Sequence, residues 1–121
     1  MLFRSGALVA KTLNVQSSAT SGTVDLTNAS NNLTDLGTIK TLGAGFSYKD
    51  TDALASTGAI NTFGANNTTG VAGGVVTITA GDTLGVGAID THGGNSTADG
   101  VAGAIGGAVN LTTTEIGRAH V

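Results

Sequence analysis

Gly73–Gly94, GGVVTITAGDTLGVGAIDTHGG, alternates apolar with polar residues, halts at glycines, and then does much the same again. Val76 and Ile78 fall on one side of an extended chain, and Thr77 and Thr79 on the other. Alternation over so short a run marks a half-buried strand. Helical i, i+3, i+4 spacing is absent, and Gly, Thr, Asn and Val are poor helix formers. The stretch contains no obvious catalytic group. Its content is the repetition itself.

The repetition extends in both directions. GAINTFGANNTTG at 58–70 matches GAIDTHGGNSTADG at 87–100 with one residue inserted, and GVAGGVVTIT at 70–79 matches GVAGAIGGAVNLT at 100–112 with three inserted. SGTVDLTNA at 21–29 is a looser copy of the strand, and GTIKT at 37–41 echoes GAINT at 58–62. The unit is GAI-x-T, a glycine/asparagine loop, GVAG, and a strand of type G-x-V-x-[IL]-T, recurring every ~21 to 33 residues, the range of solenoid coils with variable loops. Val109 and Leu111 alternate with Asn110 and Thr112, Val24 and Leu26 bracket Asp25, and Phe46 and Tyr48 bracket Ser47. This pattern predicts about seven short strands, near 24–27, 33–40, 45–49, 54–61, 75–79, 84–90 and 108–113. The pairs Asn31-Asn32, Asn66-Asn67, Gly73-Gly74, Gly93-Gly94 and Gly106-Gly107 read as corners that tolerate positive φ.

Composition narrows the class. The 121 residues allow one small domain, with aromatics at 3%, charged residues at 11%, 20 Gly, no Pro and no Cys. So few large side chains exclude a conventional core, because Phe, Trp, Leu and Met normally supply most of its area. So little charge argues against solvated disorder. What remains is a thin core of Val, Ile, Leu and Ala. The net charge is −3, and Arg4, Lys11, Lys40 and Lys49 do not cluster, so the basic footprint that nucleic acid requires is missing. No apolar run approaches the ~20 residues needed to cross a bilayer as a helix. The opening MLFRSGALVAKTLNV is too interrupted for a signal-peptide core. Cysteine's absence excludes disulfides and thiolate metal sites.

A parallel arrangement is expected over hairpins. Hairpins favour Asn-Gly or Asp-Gly turns; no Asn-Gly occurs, and the one Asp-Gly, Asp99-Gly100, lies inside a longer loop. Copies of similar length stack most simply in register, ~4.8 Å apart, each aliphatic over its counterpart. Proline's absence agrees, since proline would remove a ladder hydrogen bond.

The end of the chain, EIGRAHV, departs from everything before it. IGRAHV can be written ATC GGA AGA GCA CAC GTC, which resembles read-through of a short-read sequencing adapter whose next codon in frame is a stop. This divides the chain into a repeat region, 1–114, and an adapter-derived tail, 115–121, with Ile116–Val121 outside the natural sequence. On this reading the chain is an open fragment of a longer gene, Met1 need not be a true start, and Arg118 and His120 carry no function.

GTVDLTNASNNLTDLGTI, DTDALASTGAINT and GGVVTITAGDTLGVGAIDTHGG resemble the repeats of large filamentous-haemagglutinin-like exoproteins of bacteria, over roughly residues 7–114. The resemblance implies a right-handed parallel β-helix with about three strands per coil. It also implies export through the outer membrane by a partner transporter, and a role in adhesion, aggregation, biofilm or contact-dependent competition. Neither the family's secretion domain nor a toxic C-terminal module is visible.

The certain acids are Asp25, Asp35, Asp50, Asp52, Asp82, Asp90 and Asp99. Asp50 and Asp52, in KDTD at 49–52, would share one side of a strand, and paired carboxylates suit polysaccharide cleavage. Beside Lys49 and before ALAS they read instead as solvated turn aspartates. GGNSTADG at 93–100 lacks the nine-residue spacing of calcium β-rolls. His92 replaces Phe63 of the preceding unit, so it reads as a structural ring and not as a base or ligand. GVAGAIGGA at 100–108 has no Lys-Ser/Thr and no helix, so it is no phosphate loop. Thr77 and Thr79 form a Thr-x-Thr pair like those of ice-binding solenoids, but the other copies read Asn-x-Thr at 110–112 and Asp-x-Thr at 25–27. The sequons at Asn28, Asn32, Asn66, Asn67, Asn95 and Asn110 reflect composition and turn chemistry.

The expectation is therefore an all-β chain, a right-handed parallel β-helix (β-solenoid) of about five short coils, open at both ends. Its role would be that of a structural and adhesive stalk segment of a secreted bacterial surface protein. It would have no catalytic, cofactor-binding or metal-binding residue and no cofactor. Its partners would be surface glycans or proteins met through the parent protein, with no nucleic acid and no transmembrane segment. Exposed edges predict aggregation of the isolated piece. Two rivals are a carbohydrate-active β-helix enzyme and a calcium- or ice-binding solenoid.

Overall fold

A computed structural model describes residues 6–114. The tail assigned to adapter sequence, the acid Glu115, and Met1 lie outside the described residues. The chain is all-β, and no helix occurs among the described residues. Its strands are β1 (Val9–Gln16), β2 (Thr23–Leu26), β3 (Asn32–Lys40), β4 (Gly45–Lys49), β5 (Ser56–Thr57), β6 (Ile60–Asn61), β7 (Val76–Ala80), β8 (Ile89–Asp90) and β9 (Val109–Thr113). They form two sheets. One runs β1-β3-β6-β8, with β5 also paired to β3, and the other runs β2-β4-β7-β9. Every pairing between these strands is parallel. The chain alternates between the sheets, adding to one and then to the other.

Register follows the repeats. Val24 pairs with Phe46, Phe46 with Val76, and Val76 with Val109; Leu26, Tyr48, Ile78 and Leu111 form the next inward column. In the other sheet Val15, Ile39, Ile60 and Ile89 align. The offsets between Ile39 and Ile60 (21 residues) and between Val76 and Val109 (33 residues) are those read from the repeats. Val76, Ile78, Ile39 and Ile60 are fully buried. Each contributes about 1.5–3 kcal/mol of apolar burial, so narrow columns of aliphatics suffice for a core.

Several expectations need correction. β1 was not anticipated: only Leu13 and Val15 of its side chains are even half-buried, so its alternation is faint. Its pairing with β3 slips by one residue between Leu13 and Val15. There the Asn14 Oδ1 accepts the Thr38 amide at 2.8 Å, in place of a backbone partner. Gly37 leaves room for it, since a Cβ there would lie 2.0 Å from Asn14 Oδ1. The strands expected at 54–61 and 84–90 are broken: β5, β6 and β8 span two residues each, with a single bridge joining Leu54 to Leu84. One sheet has five strands, with β5 off its main path, and the other has four.

The corners also work differently. Among the described residues positive φ is confined to Gly22, Gly43, Gly70 and Gly100, and no asparagine adopts it. Gly70 and Gly100 share a φ of +73° at matching places in the repeat, the start of GVAG. The paired glycines answer a different need, close approach. A Cβ on Gly74 would lie 2.2 Å from the Ala44 carbonyl oxygen, and one on Gly107 2.3 Å from that of Gly74.

Candidate functional site: the outer faces, the corner columns and the stacked loops

The outward faces are ladders of polar side chains. On the β2-β4-β7-β9 sheet, Asp25, Ser47, Thr77 and Asn110 align, and beside them Lys49, Thr79 and Thr112. Thr77 and Thr79 are half-buried and point outward, as expected, but their column is chemically mixed. Asp25 accepts the Thr27 hydroxyl at 2.6 Å, and Asp35 accepts the Ser56 hydroxyl at 2.8 Å.

Asp50 overturns its expected placement. It is not a solvated turn residue: it is 1% exposed. Its Oδ2 accepts the Tyr48 hydroxyl at 2.5 Å and the Leu33 amide at 2.8 Å, and its Oδ1 accepts the Asp52 amide at 3.0 Å. A buried carboxylate requires such donors. Burial, together with the adjacent Asp50 carboxylate, pushes the Tyr48 phenol far above its usual value. Asp52 is exposed, as expected, and accepts from Asn32 Nδ2 at 3.1 Å. The two carboxylates therefore differ in environment and do not form a pair.

His92 stacks on Phe63 with ring centroids 5.2 Å apart and planes 6° from parallel. The repeat alignment placed these residues at the same position, and the rings occupy successive layers. His92 Nδ1 lies 2.6 Å from Asp90 Oδ1, which also accepts the His92 backbone amide at 3.1 Å. The His92 ring, then its amide, holds the Asp90 carboxyl below its usual range. Among the described residues no group of three His, Cys, Asp or Glu side chains could hold a metal ion.

The loops 65–71 and 95–103 lie one on the other. The Asn95 amide donates to Asn66 Oδ1 at 2.7 Å, the Ser96 hydroxyl to the Thr68 carbonyl at 2.8 Å, and Asn67 bridges to Ser96. Asp99 is exposed. GGNSTADG at 93–100 is thus knitted to the loop beneath it.

Sequence reading missed one set of positions. Thr41, Thr62 and Thr91, the last residue of each GTIKT/GAI-x-T copy, donate their hydroxyls to the carbonyls of Ala44, Gly74 and Gly107 at 2.6, 2.7 and 2.8 Å. Each bond closes the corner where the chain leaves one sheet for the other. The threonine's constancy within the motif was the available signal. Asn31, a corner residue by its Asn-Asn pattern, is buried, donating to the Leu26 carbonyl and accepting the Leu8 amide, both at 2.8 Å.

Compared with family models, with curated proteins and with solved structures, the chain shows no significant match. No helix is long and apolar enough to cross a membrane among the described residues.

Proposed function

We propose that this chain is a stretch of right-handed parallel β-helix that serves as a stalk segment of a large secreted bacterial surface protein. The observation that carries the reading is the register of Val24, Phe46, Val76 and Val109, four like positions aligned across β2, β4, β7 and β9. Stacked rungs of this kind extend by addition, each stabilised by its neighbours. The role is mechanical and adhesive: the rungs hold binding modules at a distance, and the Thr/Asn/Ser ladders make many weak contacts with surface glycans or proteins. Export by an outer-membrane partner transporter belongs to the same reading and rests on the repeat resemblance. A catalytic role for Asp50 is disfavoured because three donors already occupy its carboxylate.

The test is adhesion of beads carrying the chain to bacterial and epithelial cell surfaces at graded coating density. Binding that rises steeply with density and survives Asp52→Asn and His92→Gln supports a multivalent stalk. Loss of adhesion on either single substitution, or turnover of a polysaccharide by the chain, would sink it.

A further inference from the structure

The two ends of the stacked sheets are unlike. In the β2-β4-β7-β9 sheet the inward positions of the first strand, Val24 and Leu26, are both 3% exposed, whereas their counterparts in the last, Val109 and Leu111, are 43% and 42% exposed. Five of the seven large apolar side chains exposed among the described residues, Val86, Val101, Ile105, Val109 and Leu111, fall within 86–111, so the uncovered apolar surface gathers at one end. β9 pairs with β7 and, among the described residues, with no strand beyond it. The columns of Val76 and Ile78 therefore finish in core-type residues open on one side, next to an unpaired backbone edge. Such an edge is a template for another strand.

Charge singles out the same strand. β1 carries Lys11, β2 carries Asp25 and β8 carries Asp90, while β9, VNLTT, carries no charge. A charge on an edge strand resists pairing, and in a strand that meets its own copy it would face a like charge. Of the four strands that end the two sheet paths, β9 alone lacks this protection.

Pairing of β9 with the β9 of a second copy covers both open ends in one step. Strands related by a two-fold axis run antiparallel. With the axis at Leu111, all five residues find a mate: Leu111 meets Leu111, Val109 meets Thr113 and Asn110 meets Thr112. Residues opposite one another in an antiparallel pair share a face. Val109, Leu111 and Thr113, which continue the buried columns of Val76, Ile78 and Ala80, thus stay inward together. Stacking head to tail would instead set the open end of one copy against Val24 and Leu26, which are already sealed.

We infer that the chain forms a two-fold dimer in which the β9 edges of two copies pair. In dilute solution the single chain keeps its end open, and association covers Val109 and Leu111. An isologous interface uses up the open edge, so growth stops at two copies. The inference concerns this chain by itself and does not rest on the stalk reading.

The test measures the mass of the full chain in solution by analytical ultracentrifugation over a wide range of concentrations. A monomer that passes to a dimer and no further is expected. Leu111→Lys, which sets two ammonium groups at the axis, should keep the chain monomeric throughout, with its circular dichroism spectrum unchanged. If that variant does not fold, cross-linking decides. The chain has no cysteine, so Leu111→Cys supplies a single thiol. Under mild oxidation it should link to its own mate several-fold faster than Thr97→Cys, whose thiol stands on an exposed loop. A two-fold axis brings a residue to its own copy, and head-to-tail stacking does not. A monomer at every concentration, growth beyond two copies, or a Leu111→Cys link no faster than that of Thr97→Cys overturns the inference.

Discussion

The Tyr48 hydroxyl donates to the Asp50 carboxylate inside the core, two residues along the same extended chain. Period-two geometry turns both side chains inward, so the phenol and the carboxylate that follows it share one buried space. Asp50 enters the core because Tyr48, Leu33 and the Asp52 amide receive it there.

The chain has a single tyrosine, which makes the consequence easy to read. Burial raises the Tyr48 phenol above its unfolded value of about 10, so the fold favours the neutral form. Its contribution to stability is complete below that pH and is lost as pH rises above it, at about 1.4 kcal/mol per unit. Absorbance of tyrosinate should therefore stay flat through pH 11 in the folded chain and appear together with unfolding. A reversible titration near pH 10 with the fold intact would contradict this.

The corner threonines should matter more than outward ones. Thr62→Val removes the hydroxyl that the Gly74 carbonyl accepts, leaving a buried oxygen unpaired. That costs about 1–3 kcal/mol. Thr77→Val, on the outward face, should change stability by less than about 0.5 kcal/mol. Urea denaturation of the two variants makes the comparison.

Equal positions in one column should respond unequally. Ile78 is 0% exposed and Leu111, aligned with it two strands' width away from Tyr48, is 42% exposed. Ile78→Ala should cost about 2–5 kcal/mol and Leu111→Ala well under half of that, because a side chain open on one side leaves little cavity. Similar losses would show that something covers β9.

The Asp90–His92 contact should reveal itself in acid. The folded-state pKa of Asp90 is depressed, so its contribution is present above the unfolded carboxylate value of about 4 and disappears as pH falls through the folded one. Carboxyl NMR should place the Asp90 midpoint below that value in the parent and move it upward in His92→Gln. An unchanged midpoint would mean that the ring is not the cause.

Much of this was legible locally. The alternation in VVTIT and AVNLT, and the recurrence of GAI-x-T, led to parallel layers with Ile60 over Ile39 and His92 over Phe63. In-register stacking repeats one environment at each layer, so similar residues recur at similar positions. β1 escaped notice because it lies at the margin of its sheet, where only Leu13 and Val15 are drawn partly inward and the apolar signal fades.

What the sequence determined by itself was period and spacing: strands not helices, parallel neighbours, and the residue over which each aliphatic lies. Only tertiary structure decided that Asp50 is buried while Asp52 is not, that paired glycines serve close approach and not positive φ, and that Val109 is half open where Val76 is sealed. The reason is physical. Periodicity is written along a chain, whereas burial, clearance and the partner of a buried polar atom depend on whichever segment lies across the fold.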